Sequence, residues 1–90
     1  MNNEDLHATY QTMIVRLEPD FSKLFEVIGS AETGGYLYVG LRYKKTKEVM
    51  DLRIGRREIQ LMRGGKMRRQ YGGVNAVELK HFTEVMKTTG

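Results

Sequence analysis

The strongest constraint on the fold is the regular alternation of apolar and polar side chains from Tyr36 to Lys44. Successive side chains of a β-strand point to opposite faces, so this period of two predicts a strand with one buried face. The core side is expected to carry Leu37, Val39, Leu41 and Tyr43. The other side carries Gly40 together with Tyr36, Tyr38, Arg42 and Lys44.

The segments that follow continue this sheet. Apolar alternates between Glu48 and Ile54 predict a second strand after a turn at Lys45–Lys47. The alternates beyond Gly55-Arg56-Arg57 have the opposite parity, so the chain must bulge or turn there to keep one face buried. Gly64-Gly65 is a strong hairpin signal, and it predicts a returning strand from Lys66 to Tyr71.

An amphipathic helix is predicted near the start of the chain, from about Asn3 to Leu17. Apolar side chains recur there at three- and four-residue spacing. Asn2 or Asn3 can cap this helix, and Pro19 ends it. The β-branched residues within Thr12–Leu17 leave a strand open as an alternative.

A second helix is predicted to open at Asn75, with Glu78 at the capping-box position, and to end near Thr88. Its apolar stripe consists of Leu79, Phe82, Val85 and Met86. The segment Phe21–Gly29 fits either a short helix or a strand, and Gly29–Gly35 is interpreted as a loop. The predicted class is therefore α+β: a four- or five-stranded antiparallel meander sheet with an N-terminal and a C-terminal helix.

Composition excludes several classes of protein. Ninety residues allow one domain over 1–90, with 1–19 as a helical extension and 20–90 as a sheet-plus-helix core. The absence of cysteine excludes disulfides and thiolate zinc sites. No apolar run is long enough to span a membrane, and residues 1–5 do not resemble a signal peptide. We therefore expect a cytoplasmic protein.

No pattern of side chains indicates catalysis or a cofactor. His7 and His81 are the only histidines, and neither is spaced with other residues as a metal ligand. The glycine pairs lack the Gly-Lys-Ser/Thr of a phosphate loop, so turns explain them better. No grouping of serine, histidine and acid supports an active site. We expect a protein that is not an enzyme and that uses no cofactor or metal.

The charge is strongly segregated along the chain. Between Arg42 and Arg69, eleven cations face three carboxylates, which gives a net charge of +8, whereas residues 1–35 carry −4. Segregation of this kind indicates a polyanionic partner. The alternative interpretation is an ordinary solvated sheet face, on which lysines protect strand edges from aggregation.

Five segments together carry a family resemblance: Lys23–Gly29, Val39–Lys47, Val49–Arg53, Gly64–Met67, and Gly73–Asn75 with Glu78 and Phe82. They resemble, in order, the first strand, the second strand with its basic turn, the third strand, the last hairpin and the helix start of the positive cofactor four family. Members of this family are single-stranded-DNA-binding coactivators with four antiparallel strands followed by a helix. The chain departs from the family in its longer third strand, its offset helix start and its lack of tryptophan.

The resemblance implies a site and an assembly. It implies that Phe21–Gly29 is a strand. It also implies that the C-terminal helix forms a dimer interface through Leu79, Phe82, Val85 and Met86. Six cations match DNA-contacting positions of the family: Arg42, Lys44, Lys45, Lys47, Arg53 and Lys66. Strand parity predicts that Tyr36, Tyr38, Arg42, Lys44, Arg53 and Arg68 share the solvent face. The predicted nucleic-acid site combines this face with the hairpin lysines and Arg69, and its residues are Tyr36, Tyr38, Arg42, Lys44, Lys45, Lys47, Arg53, Lys66, Arg68 and Arg69. The two tyrosines either stack on bases or pack against each other across strands.

The sequence thus predicts a homodimer that binds single-stranded DNA with little sequence preference, in replication, recombination or transcription, alongside partner proteins of those processes. Its compact chain fits a phage or bacterial member of the family. A bacterial member is expected in the cytoplasm or associated with the nucleoid, and a phage-encoded one in the host cytoplasm. RNA remains an alternative ligand because nothing in the sequence reads a 2′-hydroxyl group. The alternative function is a small inhibitor or adaptor that places its basic sheet on an acidic protein.

Overall fold

The computed structural model describes residues 4–87. In chain order the elements are α1 (Glu4–Leu17), α2 (Asp20–Leu24), β1 (Phe25–Thr33), β2 (Tyr36–Tyr43), β3 (Val49–Ile54), β4 (Ile59–Arg63), β5 (Lys66–Tyr71), a 3-10 turn (Val74–Ala76) and α3 (Leu79–Lys87). The α+β class and both terminal helices are confirmed. The predicted caps at Asn2 and Asn3 and the predicted helix end at Thr88 lie outside the described residues.

The sheet is the five-stranded form of the predicted meander. Its strands lie in the order β1-β2-β3-β4-β5, and every neighbouring pair is antiparallel. Gly34-Gly35 and Gly64-Gly65 join two of the hairpins, and all four glycines have positive φ. Two-residue hairpin turns that match the twist of the strands require this conformation, which glycine adopts without strain.

The core lies between the helices and one face of the sheet. Leu41, Leu52 and Leu61, from three adjacent strands, are completely buried on that face. Phe82 of α3 packs edge-on against Phe25 of β1, with ring centroids 5.8 Å apart, and residues from both α1 and α3 belong to the same apolar cluster. The helices therefore cover one face of the sheet and leave the other uncovered by any described helix.

The segment after α1 differs from both predictions made for it. Residues 20–24 are helical and residues 25–33 form a nine-residue strand, so Phe21–Gly29 is not a single strand and Gly29–Gly35 is not a loop. The Ser22 hydroxyl and the Ser22 N–H both donate to the Glu18 carboxylate, the N–H at 2.7 Å, and these two bonds hold the first turn of α2 and lower the pKa of Glu18. After Phe25 every residue of β1 is exposed, so this strand lacks the apolar alternation that reveals a half-buried strand.

The last helix begins later than predicted. Residues 74–76 form the 3-10 turn, Val77 is extended and completely buried, and α3 starts only at Leu79. Arg16 of α1 fixes this connection by donating from Nη1 to the carbonyls of Val74 (2.7 Å) and Val77 (2.9 Å). Because Val77 reaches the core in an extended conformation, a helix cannot start at Asn75. Among the described residues, no helix has the length and apolar character needed to cross a bilayer.

Candidate nucleic-acid interface

The uncovered side of the sheet is called the open face here. Its side chains alternate with those of the core and follow from the strand register. They are Glu26, Ile28, Ala31 and Thr33 of β1, Tyr36, Tyr38 and Arg42 of β2, Val49, Asp51 and Arg53 of β3, Gln60 and Met62 of β4, and Met67 and Gln70 of β5. Gly40 lies among them and is covered by Ile28.

The open face carries a stacked group of one arginine and two tyrosines. Arg53 is paired with Tyr38 across β2 and β3, and its Cζ lies 3.9 Å from the ring centroid of Tyr36 and 5.8 Å from that of Tyr38. The two tyrosine rings are 6.3 Å apart and tilted by 58°. Cation–π contact with Arg53 holds the ring of Tyr36 in place. Both tyrosines are half-buried, so part of each ring remains accessible.

Polar groups without partners lie beside this stack. Gln60 is opposite Arg53 in the register and donates from Nε2 to Gln70 Oε1 at 2.8 Å. The Gln60 Oε1 and Arg53 Nε atoms are buried and have no hydrogen-bond partner among the described residues. A buried polar group left unpaired costs about 1–3 kcal/mol, so this part of the open face holds hydrogen-bonding capacity that residues 4–87 do not use.

The open face is not basic, contrary to prediction. Arg42 donates from Nη1 to Glu26 Oε1 at 3.1 Å, and Asp51 lies on the same face as Arg53. The two arginines are thus matched by two carboxylates. Asp51 belongs to the basic stretch itself, whereas Glu26 lies among the acidic residues 1–35, and only pairing of β1 with β2 brings it opposite Arg42.

Free cations are instead found at the end of the sheet where β2 turns into β3 and β4 turns into β5. Lys45, Lys47 and Lys66 are exposed there, and their ammonium groups make no hydrogen bond or ion pair with any described residue. The expectation that they occupy hairpin tips agrees with the structure. Lys44 differs, because its Nζ donates to the carbonyl of Ser22 at 2.6 Å and turns toward α2.

Two predicted site residues lie on the helix side of the sheet. Leu61 pairs with Arg69 and Met62 with Met67, so Arg68 is the extra residue of a β-bulge. Arg68 and Arg69 line a cavity of about 280 Å³ beside α3, and Arg69 bonds Glu84 at 3.1 Å. The prediction that Arg68 shares the solvent face with the tyrosines is therefore wrong, because the bulge breaks the parity on which it depended.

Arg56 and Arg57 were not predicted as site residues. They lie in the β3–β4 turn, are exposed and have no partner among residues 4–87. With Glu58 and the β1–β2 turn they form a cleft at the end of the sheet opposite the free lysines. Two consecutive arginines between two predicted strands were the available signal, but they were interpreted only as a bulge or turn.

The predicted dimer stripe is buried within the chain itself. Phe82 is completely buried, Val85 and Met86 are buried, and Leu79 is partly buried against the same core. These side chains hold α3 on the sheet, so they are not exposed on the surface of a single chain.

Comparisons with protein-family models, with curated proteins and with solved structures found no match to this chain. The resemblance to the positive cofactor four family therefore stays a prediction. Within the described part of the chain, no three His, Asp or Glu side chains are grouped in a way that could hold a metal ion.

Proposed function

We propose that the protein is a non-enzymatic, largely sequence-independent single-stranded-DNA-binding protein of replication, recombination or transcription. The observation that carries the proposal is the stack of Tyr36, Tyr38 and Arg53 on a sheet face that no described helix covers. Bases exposed in a single strand stack on such rings whatever their identity. Arg53 and Gln60, which are paired beside the stack, carry donors and acceptors of the kind that bind base edges.

The phosphates would be bound at the two ends of the sheet rather than on the open face. Lys45, Lys47 and Lys66 lie at one end and Arg56 and Arg57 at the other, all exposed. A strand laid along the direction of β2 would pass from one group of cations across the tyrosines to the other. A neutral centre with cationic ends suits this arrangement, since bases contact the centre and the backbone contacts the ends.

The test is fluorescence anisotropy with a labelled thymidine oligonucleotide. We expect log affinity to fall with log salt by about 0.7 for each phosphate contacted. The Tyr36→Leu and Tyr38→Leu double variant should bind at least about tenfold more weakly, because stacking contributes about 1–3 kcal/mol per base. The matched control is Tyr36→Phe with Tyr38→Phe, which keeps both rings and should bind nearly as the wild type does.

Two outcomes would overturn the proposal. One is the absence of binding to single-stranded DNA, and the other is an affinity that salt does not change. Parallel titrations with duplex DNA and a uridine oligonucleotide decide between DNA and RNA as the ligand.

A protein partner is the second candidate, and a different observation favours it. Ile28, Val49 and Met67 are about half exposed on the open face, whose formal charges are balanced. Exposed apolar side chains around a neutral centre are typical of protein-binding surfaces. This surface would suit an inhibitor or adaptor, although its balanced charge does not favour the acidic partner predicted from the sequence. A partner retained after nuclease treatment, and lost on Ile28→Lys substitution, would support this function.

We also propose that two copies of the chain pair, through a surface other than the buried stripe of α3. The surface we favour is β1, which is the longer of the two edge strands of the sheet and has eight of nine residues exposed. Antiparallel pairing of β1 with its copy would extend the sheet through a two-fold interface.

A further inference from the structure

The cleft between the β1–β2 and β3–β4 turns is an open cavity of about 590 Å³. It is lined by Gly34, Gly35, Tyr36, Arg56, Arg57 and Glu58. Gly34 and Gly35 leave one wall without side chains, and a Cβ built on either glycine would meet nothing within 4 Å. The other wall carries both arginines. The cleft is therefore wide enough for a group larger than a water molecule, and its donors come from the side chains of one turn.

The charges around the cleft favour an anion. Arg56 and Arg57 have no hydrogen bond or ion pair with any residue in 4–87, so both guanidinium groups keep their donors. Glu58 is the opposing charge, and its carboxylate is turned inward over Gly55 beside Tyr36. One positive charge is left in excess, and arginine binds phosphate oxygens with two parallel N–H donors.

The position of the cleft next to Tyr36 indicates which kind of anion it would bind. Tyr36 is the first residue of β2 and belongs both to the stack on the open face and to the wall of the cleft. A base stacked on Tyr36 would thus have its own phosphate within the cleft. The cleft lies at the end of the sheet, so a bound DNA strand could end there. A phosphate at the end of the DNA has no following nucleotide that would compete for the space in the cleft.

We infer that this cleft binds the terminal phosphomonoester of a DNA strand whose last base stacks on Tyr36. The inference rests on the proposed function and names the strand end as the preferred ligand. A phosphomonoester carries up to two negative charges, whereas an internal phosphodiester carries one, so paired arginines favour the strand end. The two possible sources of this chemistry are a 5′-phosphate and a 3′-phosphate.

The experiment compares three thymidine oligonucleotides: one with a 5′-phosphate, one with a 3′-phosphate and one with hydroxyl groups at both ends. For the wild type we expect one phosphorylated form to bind about tenfold more tightly than the hydroxyl form, because charge-assisted bonds are about twice as strong as neutral ones. Arg56→Gln with Arg57→Gln should remove this ratio. Glu58→Gln should raise it, since it removes the opposing carboxylate.

The matched control is Lys66→Gln, at the other end of the sheet. It should weaken the binding of all three oligonucleotides by the same factor and leave their ratio unchanged. Equal affinity of the wild type for the three oligonucleotides would overturn the inference and leave the proposed function standing.

A second measurement separates the inference from the proposed function. Thymidine 5′-monophosphate and thymidine 3′-monophosphate are titrated into the labelled protein, with thymidine as the reference, and backbone amide shifts are followed by NMR. Shifts confined to Gly34, Gly35, Arg56 and Arg57 would support the cleft even if no oligonucleotide bound, a result that would overturn only the proposed function. If neither monophosphate shifts these amides more than thymidine does, the cleft is not a phosphate site.

Discussion

Gly55, at the start of the β3–β4 turn, has no room for a side chain because Tyr36 of the open face packs against it. A Cβ at this position would lie 2.8 Å from Tyr36 Cε1 and 2.8 Å from Glu58 Oε1. The carboxylate of Glu58 can rotate away, but the ring of Tyr36 is held by the guanidinium of Arg53. The smallest possible side chain at position 55 would therefore displace a residue of the proposed base-stacking site.

We predict that Gly55→Ala destabilises the protein by about 1–3 kcal/mol, the usual cost of inserting a methyl group into a packed site. It should also weaken binding to the thymidine oligonucleotide. Urea unfolding measures the first effect, and fluorescence anisotropy measures the second. Gly72→Ala is the control, since a Cβ there meets nothing within 4 Å and should change stability by less than about 0.5 kcal/mol. Equal stability of the two variants would show that Tyr36 moves without cost.

At the scale of elements, one of the cations of the basic stretch holds a helix in place. Arg63 of β4 donates from Nη1 to the carbonyls of Val85 (3.0 Å) and Met86 (2.8 Å), and from Nη2 to Glu48 at 2.9 Å. The last carbonyls of a helix lack partners within the helix and carry partial negative charge, so a cation there is favourable. α3 has only nine residues, and a helix this short depends on tertiary contacts.

We predict that Arg63→Ala destabilises the protein by about 2–3 kcal/mol, because hydrogen bonds to a charged group contribute about 1.5–3 kcal/mol. The loss should be visible in urea unfolding and as faster hydrogen exchange of the α3 amides. Lys66→Ala removes a cation from the same hairpin that has no partner among the described residues, so it should leave both measurements unchanged. If both substitutions had the same effect, Arg63 would be an ordinary surface cation.

The elements that could be predicted are those in which the sequence pattern of the segment matches its burial in the folded chain. β2 and β3 each have one buried face, and β5 follows the Gly64-Gly65 turn; the boundaries of all three were predicted to within a residue or two. β1 was predicted only in its first half, as one alternative for Phe21–Gly29, and its second half was interpreted as a loop. The reason is that β1 is an edge strand exposed after Phe25 and shows no alternation. The start of α3 was misplaced because tertiary packing of Val77 outweighs the capping signal at Asn75.

The candidate site was predictable in part for a related physical reason. Parity along β2 and β3 correctly placed Tyr36, Tyr38, Arg42 and Arg53 on one face. Parity fails across a bulge, which is why Arg68 was misplaced, and sequence distance conceals pairs such as Arg42 and Glu26. Composition gives the sign of a segment's charge, but only tertiary structure decides which cations remain free.

At the scale of the whole molecule, the fold disperses the charge that is concentrated in the sequence. Of the cations between Arg42 and Arg69, some are neutralised on the open face, some face the helices and some remain free at the two ends of the sheet. This surface lacks the continuous basic face that the sequence predicts, so a long polyanion of the proposed kind would contact it at separated points. The same fold leaves β1 uncovered along one edge.

The last prediction concerns this edge. Charges and bulges keep long exposed edge strands from pairing with other chains. β1 carries only Glu26 and Glu32 as charged residues, and its irregularity between Val27 and Gly29 leaves the rest of the strand, from Gly29 to Thr33, in continuous register. Val27 lies on the helix side of β1 and is 49% exposed, so Val27→Lys places a charge on the edge without disturbing the core. Val15→Lys, at a position of α1 that is 74% exposed, is the matched control. In sedimentation velocity over a range of concentrations we expect dimers for the wild type and for Val15→Lys, and monomers for Val27→Lys at concentrations where the wild type is dimeric. A wild type that sediments as a monomer throughout, or a dimer that Val27→Lys leaves intact, would exclude pairing through β1.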